Sequence, residues 1–257
     1  MPINLSPIDY AIVLPFIFLA GLIDAIAGGG GLISLPAYWA AGIPPHIALG
    51  TNKFSSCAGT IFSTTRYFRA GMIDIPVALT SAVLALFGSW LGARIALQVS
   101  SEFLNYFLIL IIPVITLITL MNKRLGHADQ AHNIRLQTRL FIAALAGLVI
   151  GCYDGFFGPG TGTFLILIYS GILHYEFTRA NGNTKIVNLA SNIAAVITFA
   201  AAGKIFYPLA IPAALCGITG NLLGSKLVIL KGNKVIRPVF ILALILLFSR
   251  VLYNLLS

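Results

Sequence analysis

Apolar stretches of about 20 residues recur along almost the whole chain, and this feature restricts the folds open to it. A helix needs about 20 mostly apolar residues to cross the hydrocarbon core of a bilayer. Of the 257 residues, 58% are hydrophobic and 9% are charged, whereas a soluble domain has roughly 25% charged residues. The sequence therefore predicts an all-α polytopic protein whose partner is the lipid bilayer. The first ten residues, MPINLSPIDY, lack the basic region of a secretory signal, so none is expected.

The chain repeats itself. The segment 70–97 aligns without gaps on 202–229, an offset of 132 residues that also places Lys53 on Lys185. Further upstream, an offset of 130 places Asp24 on Asp154. Internal repeats of this kind determine the architecture of a fold. The duplication predicts a first membrane repeat (1–121), a cytoplasmic linker (122–138) and a second membrane repeat (139–257).

Each repeat contains four long apolar segments and one short one. The short segments, 31–43 and 162–173, have too few residues to span a bilayer unaided. They are predicted to be half-helices that either return toward the side they came from or continue a broken helix. The long segments are predicted at 9–27, 46–66, 74–98 and 103–121 in the first repeat, and at 139–157, 180–201, 206–229 and 235–254 in the second.

Basic residues predict the orientation in the membrane. If the segments alternate, eleven Lys and Arg residues fall on one side and only Arg94, Lys204 and Arg250 on the other. Because cytoplasmic loops are enriched in Lys and Arg, the first side is predicted to be cytoplasmic, with both termini outside. The net charge of +9 is then explained without nucleic acid. The two repeats would be inverted relative to each other, as is common in secondary transporters. The eleven residues are Arg66, Arg69, Lys123, Arg124, Arg135, Arg139, Arg179, Lys226, Lys231, Lys234 and Arg237.

Four ionisable residues lie deep inside apolar segments: Asp24, Lys53, Asp154 and Lys185. An ionisable side chain at the bilayer centre costs about 2.5–3.5 kcal/mol, so it is usually paired or functional. A structural explanation is two internal salt bridges, or lysines that extend to the interface. A functional explanation comes from polar residues on the same helical face as each lysine. Because such a face must contact the protein interior or water, these residues are predicted to line one central path: Ser56 and Thr60 with Lys53, and Asn188 and Asn192 with Lys185.

Glycines interrupt both repeats immediately after the buried aspartates. Gly28 to Gly31, and Gly158, Gly160 and Gly162 around Pro159, prevent a continuous helix. The half-helix that follows begins with unpaired N–H groups and the positive end of its dipole. Together with a nearby lysine, these groups predict an anion site. Asp24 and Asp154 can cap the free N–H groups, neutralise a lysine, or carry a coupling proton.

Several other functions lack their motifs. The histidines form no HExxH or metal triad, and Cys57, Cys152 and Cys216 have no CxxC spacing, so neither a metal nor a cofactor is predicted. The stretch GFFGPGTG lacks the Lys-Ser/Thr ending and the strand–helix context of a phosphate loop. We therefore do not expect the protein to be an enzyme. The glycines at 88, 92, 220 and 224 are predicted to pack helices, within the chain or between copies in a homo-oligomer.

At these residues the sequence resembles the sulfite exporter TauE/SafE family. The stretches GLIDAIAGGGGLISLPAYWAAGIPPHIALGTNK and GCYDGFFGPGTGTFLIL are similar to its paired signatures, and SKLVILKGNKVIRP to its C-terminal stretch. The resemblance implies a multi-pass carrier of the bacterial inner membrane for sulfite, sulfonates or other organosulfur anions. Pro159 and Thr161 stand where the first repeat has glycines, which predicts looser binding in the second half-site. The motif positions are Gly28, Gly29, Gly30, Gly31, Asn52, Lys53, Gly158, Gly160, Thr184 and Lys185.

The leading hypothesis is a secondary transporter that exports a small anion by alternating access. Lys53 and Lys185 would supply charge and the glycine breaks N–H donors, while Asp24 or Asp154 would couple a proton. A passive anion channel is the alternative, because symmetric half-sites suit either. A membrane enzyme or assembly subunit is a third class, and the sequence supplies no nucleophile for it. The predicted substrate-binding residues are the glycines at 28–31, 158, 160 and 162, with Asn52, Lys53, Ser56, Thr60, Thr184, Lys185, Asn188 and Asn192.

Overall fold

The structure is a computed structural model that describes residues 3, 5–104, 106, 129–232, 234, 235 and 238. Within these ranges it is helical, with no β-strand. Most of the predicted segments 103–121 and 235–254, and residues 122–128 of the predicted linker, lie outside the described residues. The long helices are α1 (Pro7–Ala27), α3 (Pro45–Arg69), α4 (Ile75–Gln98), α5 (Leu136–Phe156), α7 (Phe177–Ala201) and α8 (Tyr207–Lys231); the short helices are α2 (Gly31–Ala40) and α6 (Thr161–Gly171), with a 3₁₀ turn at Ala131–Asn133.

The helices confirm an all-α multi-pass architecture. In the described part of the chain, α1, α4, α5, α7 and α8 are long and apolar enough to cross a membrane. Helix α3 is equally long, but it carries many hydroxyl side chains along with Lys53. Helices α5 and α7 begin a few residues before the predicted starts because their first turns contain polar residues, which an apolar-run criterion misses.

Both short helices turn back along the helix before them. A Cβ built on Gly30, at the start of α2, would lie 2.7 Å from the carbonyl oxygen of Ala20. Further along α2, Tyr38 shares a core cluster with Val13, near the beginning of α1. Helix α2 therefore begins against the last part of α1, and its far end belongs to the same core cluster as the first half of α1. In the second repeat, the rings of Tyr153 and Phe164 are 5.8 Å apart across the turn between α5 and α6.

The two repeats interlock by exchanging equivalent helices. Helix α8 of the second repeat packs against α1 and α3 of the first. In the equivalent way, α4 of the first repeat packs against α5 and α7 of the second. Glycines permit these close approaches. The Cα of Gly92 faces the carbonyl of Cys152, and that of Gly220 faces the carbonyl of Phe18. These glycines pack helices, as predicted, and the contacts they make lie within the chain.

Contacts near the ends of the helices define two ends of the helix bundle. At one end, the N–H of Phe206 donates to Thr51 Oγ1 at 3.1 Å, and the first half of α1 packs nearby through Val13. At the other end, α5 begins where Arg139 meets Asp74. Helices α1 and α5 therefore start at opposite ends. Which end faces the cytoplasm, and the inverted placement of the repeats across a bilayer, stay predictions.

Candidate functional site

The two glycine breaks meet in the middle of the molecule. Gly28 ends α1 with a φ of +75°, and a Cβ on it would lie 2.5 Å from the Cα of Gly162. Only glycine fits there, since no Cβ can approach so closely. The hydroxyl of Thr163 donates to the carbonyl of Ala27 at 3.1 Å. Helices α2 and α6 therefore begin side by side. The positive ends of both helix dipoles lie at this junction.

Several backbone donors at this junction have no protein partner. The amides of Gly30, Gly31, Gly162 and Thr163 donate to no acceptor within the described ranges. The first amides of any helix lack intrahelical acceptors and require side chains, water or a ligand. Two such sets from different repeats converge here, a suitable arrangement for an anion.

The four buried charges form two crossed ion pairs. Lys53 Nζ lies 2.8 Å from Asp154 Oδ1, and Lys185 Nζ lies 2.9 Å from Asp24 Oδ2. Each lysine is thus paired with the carboxylate of the other repeat. The side chains of Lys53 and Lys185 are only 3% and 0% exposed. Because losing one partner of a buried pair costs about 3–5 kcal/mol, these pairs strongly couple the two halves.

A small central cavity lies between the glycine breaks and the lysine-bearing helices. It encloses about 30 Å³, enough for about two water molecules. A sulfite ion, with four heavy atoms, requires this space to widen. The central cavity is lined by Asp24, Gly28, Gly31, Asn52, Lys53, Ser56, Asp154, Gly158, Thr161, Gly162, Asn188 and Asn192.

Gly158 brings the backbone next to one ion pair. Its φ is +99°, and a Cβ there would lie 2.9 Å from Lys53 Nζ and 3.0 Å from Asp154 Oδ1. Both the left-handed conformation and the lack of room require glycine. The backbone at Gly158 can therefore contact directly a group that is bound to Lys53.

Two asparagines of α7 add polar groups to the central cavity. Asn188 and Asn192 are each 6% exposed, and Oδ1 of Asn188 has no hydrogen-bond partner within the described part of the protein. The oxygen and nitrogen of such an amide are assigned from their surroundings rather than observed. Either amide can therefore turn its N–H₂ group toward an anion.

Some predicted site residues have other contacts. The hydroxyls of Thr60 and Thr184 donate to carbonyls of their own helices, those of Ser56 and Ala180. Lys185 does not line the central cavity; it reaches the cavity through Asp24, whose carboxylate and backbone carbonyl it contacts. Gly29 and Gly160 lie in the two turns that precede α2 and α6, and Gly30 lines a neighbouring space.

That neighbouring space, the side cavity, was not predicted. It encloses about 20 Å³, and across it Ser34 Oγ donates to Asn52 Oδ1 at 2.6 Å. Asn221, a polar residue in the middle of an apolar helix, was the sequence signal that could have indicated it. Ser191, which donates to the carboxylate of Asp154, was also missed. The side cavity is lined by Ile17, Ala20, Gly21, Asp24, Gly30, Ser34, Asn52, Ser55, Ser56, Gly217 and Asn221.

A polar cluster joins the two repeats at the end of the bundle where α5 begins. Arg139 Nη1 lies 2.8 Å from Asp74 Oδ2, and Tyr175 donates to the same oxygen at 2.6 Å. Burial raises the pKa of the Tyr175 hydroxyl, and the bond to Asp74 raises it further. The hydroxyl therefore stays protonated as a donor. Within the described ranges, no three His, Cys, Asp or Glu residues gather as metal ligands would.

The fold has helices long enough and apolar enough to cross a membrane. Each of its two repeats has a short helix, and a charged cavity lies between the repeats. These are the features of a multi-pass membrane transporter. The chain belongs to the sulfite exporter TauE/SafE family, whose profile matches residues 13–251. It is 32% identical to the probable membrane transporter protein YfcA of Escherichia coli K12 over 97% of this chain and 91% of that protein. It is 35% identical to the probable membrane transporter protein ORF9 of Sinorhizobium sp over 91% and 89%, respectively. No solved structure matches the chain.

Proposed function

We propose that this transporter exports a small anion, of the sulfite and sulfonate class, by alternating access between its two repeats. One observation carries the proposal: the central cavity combines the ammonium of Lys53 with two converging helix N-termini, at the boundary between the repeats. Positive charge, dipoles and free N–H groups in one place favour an anion.

The crossed ion pairs supply a link between binding and movement. An anion that enters the central cavity competes with Asp154 for Lys53 and repels the carboxylate of Asp24, which holds Lys185. Each of these contacts joins one repeat to the other. Loosening them weakens the attachment between the halves, which would then reorient around the bound anion. Asp24 and Asp154 are the two candidates for carrying a coupling proton.

The substrate class rests on the family description together with the geometry of the donors. A sulfite or sulfonate group presents three oxygens, which can accept from the two helix N-termini and a lysine simultaneously. Tight oxyanion sites of this kind use charge-assisted hydrogen bonds, each stronger than a neutral one.

The small size of the central cavity supports a carrier over a passive anion channel. An open channel needs a continuous water-filled path, whereas the central cavity holds only about two waters. Accumulation of anion against its gradient would exclude a channel. Transport that only ever dissipates the anion gradient, at rates that do not saturate, would favour the channel instead.

Transport by purified protein in liposomes tests the lysine assignment. Lys53→Ala and Lys185→Ala should each lower sulfite flux at least about tenfold, because a hydrogen bond to a charged group contributes about 1.5–3 kcal/mol. Lys226→Ala removes the same charge from an exposed position of α8 and should preserve flux. Wild-type rates in both cavity variants, with folding verified by gel filtration, would contradict the proposal.

A further inference from the structure

The two buried aspartates occupy equivalent positions but different surroundings. Asp154 receives Lys53 at 2.8 Å and also the hydroxyl of Ser191, and its side chain is 7% exposed. Among the described residues, Asp24 has one side-chain partner, Lys185, and its side chain is 19% exposed. Both carboxylates line the central cavity, but Asp24 is the more exposed of the two and has fewer partners.

The side cavity lies next to Asp24. Gly217 and Asn221 line it, and at the matching positions the first repeat has the bulkier Ala85 and the shorter Ser89. There Gly155 packs directly on the backbone of Ser89, and the hydroxyl of Ser89 donates to the carbonyl of Ser191. The surroundings of the two aspartates therefore differ at these positions.

The side cavity is suited to hold water. Its volume of about 20 Å³ accommodates about one molecule. Oδ1 of Asn221 is buried without a donor in the described part of the protein, and its residue is 2% exposed. A buried acceptor of this kind normally bonds to ordered water. Water there would also reach Asp24, which lines the same space, and would provide a path for a proton.

The charges of the site balance before any substrate enters. Two ammonium groups face two carboxylates, so an added monovalent anion leaves one negative charge in excess. An unbalanced charge in a low-dielectric interior is costly. Protonation of one carboxylate removes the excess.

We propose that Asp24 takes up one proton with each monovalent anion while Asp154 stays ionised, so that anion and proton cross the membrane together without net charge. This inference rests on the proposed function. The proton passes from water in the side cavity to a carboxylate oxygen of Asp24. It returns to water after the anion leaves. Because no net charge crosses the membrane, the driving force for transport depends on the concentration gradients of the anion and the proton. It does not depend on the membrane potential.

The groups around Asp24 are consistent with this role. The charged side chains that face it are Lys185 from α7, and Lys53 from α3 and Asp154 from α5 across the central cavity. The hydroxyl of Tyr67, on α3, donates to the carbonyl of Ala25. Within the described ranges, α2, α6 and α8 bring no charged side chain to the two cavities.

The test measures the Kd of 2-hydroxyethanesulfonate from about pH 5.5 to about pH 8.5, where a sulfonate does not titrate. In the wild-type protein, affinity should fall toward tenfold per pH unit once Asp24 ionises, since one proton is bound with each anion. Asp24→Asn should bind with a Kd that is independent of pH. Asp154→Asn should retain the pH dependence.

A second measurement uses the unmodified chain. Flux of the sulfonate into liposomes should not change when a potassium diffusion potential is imposed, whereas flux through Asp24→Asn should become sensitive to that potential. A wild-type Kd that is independent of pH, or pH dependence lost in Asp154→Asn but kept in Asp24→Asn, would overturn the assignment of Asp24 alone. Absence of sulfonate binding at every pH would overturn the anion site itself, and this inference with it.

Discussion

The ion pair between Lys53 and Asp154 offers the sharpest test of how the repeats are joined. The two atoms are 2.8 Å apart, and the side chains are 3% and 7% exposed. Lys53→Met would leave the carboxylate of Asp154 with only Ser191 as a partner. Removing one member of a buried pair costs about 3–5 kcal/mol. For a chain of this size that lowers the thermal midpoint by about 6–20 °C.

Removing both charges should be much less harmful than removing one. In Lys53→Met/Asp154→Leu no buried charge is left unpaired, and apolar replacements of similar volume often restore stability. The double variant should therefore recover most of the loss, giving a coupling free energy between the sites of a few kcal/mol in a double-mutant cycle. Its sulfite transport should stay low, because the ammonium that attracts the anion is missing.

The assay is thermal unfolding in detergent, monitored for Lys53→Met, Asp154→Leu, the double variant and Arg179→Met. Arg179 pairs with Asp129 at 3.0 Å but is 45% exposed, so its loss should cost at most about 1 kcal/mol. Equal midpoints for wild type and Lys53→Met would mean that the buried pair does not form. A double variant as unstable as the sum of the single ones would mean that the two residues do not interact.

Other perturbations probe the packing around the site. Gly158→Ala should abolish sulfonate binding, measured by titration, because the new Cβ would press on the ion pair; Gly42→Ala, with a φ of +75° but open space around it, should incur only backbone strain of about 1–3 kcal/mol and keep binding. Gly92→Val should lower the thermal midpoint by forcing α4 away from α5, whereas Val at the neighbouring exposed Leu91 should be tolerated. Since burial raises the pKa of Tyr175, its contribution to stability should be complete below about pH 10 and fall as the pH rises further; a midpoint that falls equally in Tyr175→Phe would contradict this.

The sequence was a good guide to the helices and their interruptions. Long apolar runs need little tertiary information, because in lipid every backbone polar group must be satisfied within a helix. The breaks near Gly28 and Gly158 followed from glycine and proline, whose effect on a helix is local. The depth of Lys53 and Lys185 followed from the same runs. The helix starts were less accurate, because the first turns of α5 and α7 are polar.

What the sequence alone determined is the inventory of parts: two similar repeats, each with a broken helix, a buried aspartate and a buried lysine. Only the tertiary structure decided how they combine, since pairing depends on the distance between residues far apart in the chain. It placed each lysine on the carboxylate of the opposite repeat. It also placed a second space, the side cavity, beside Asp24, where α8 has Gly217 and the matching position of α4 has the bulkier Ala85.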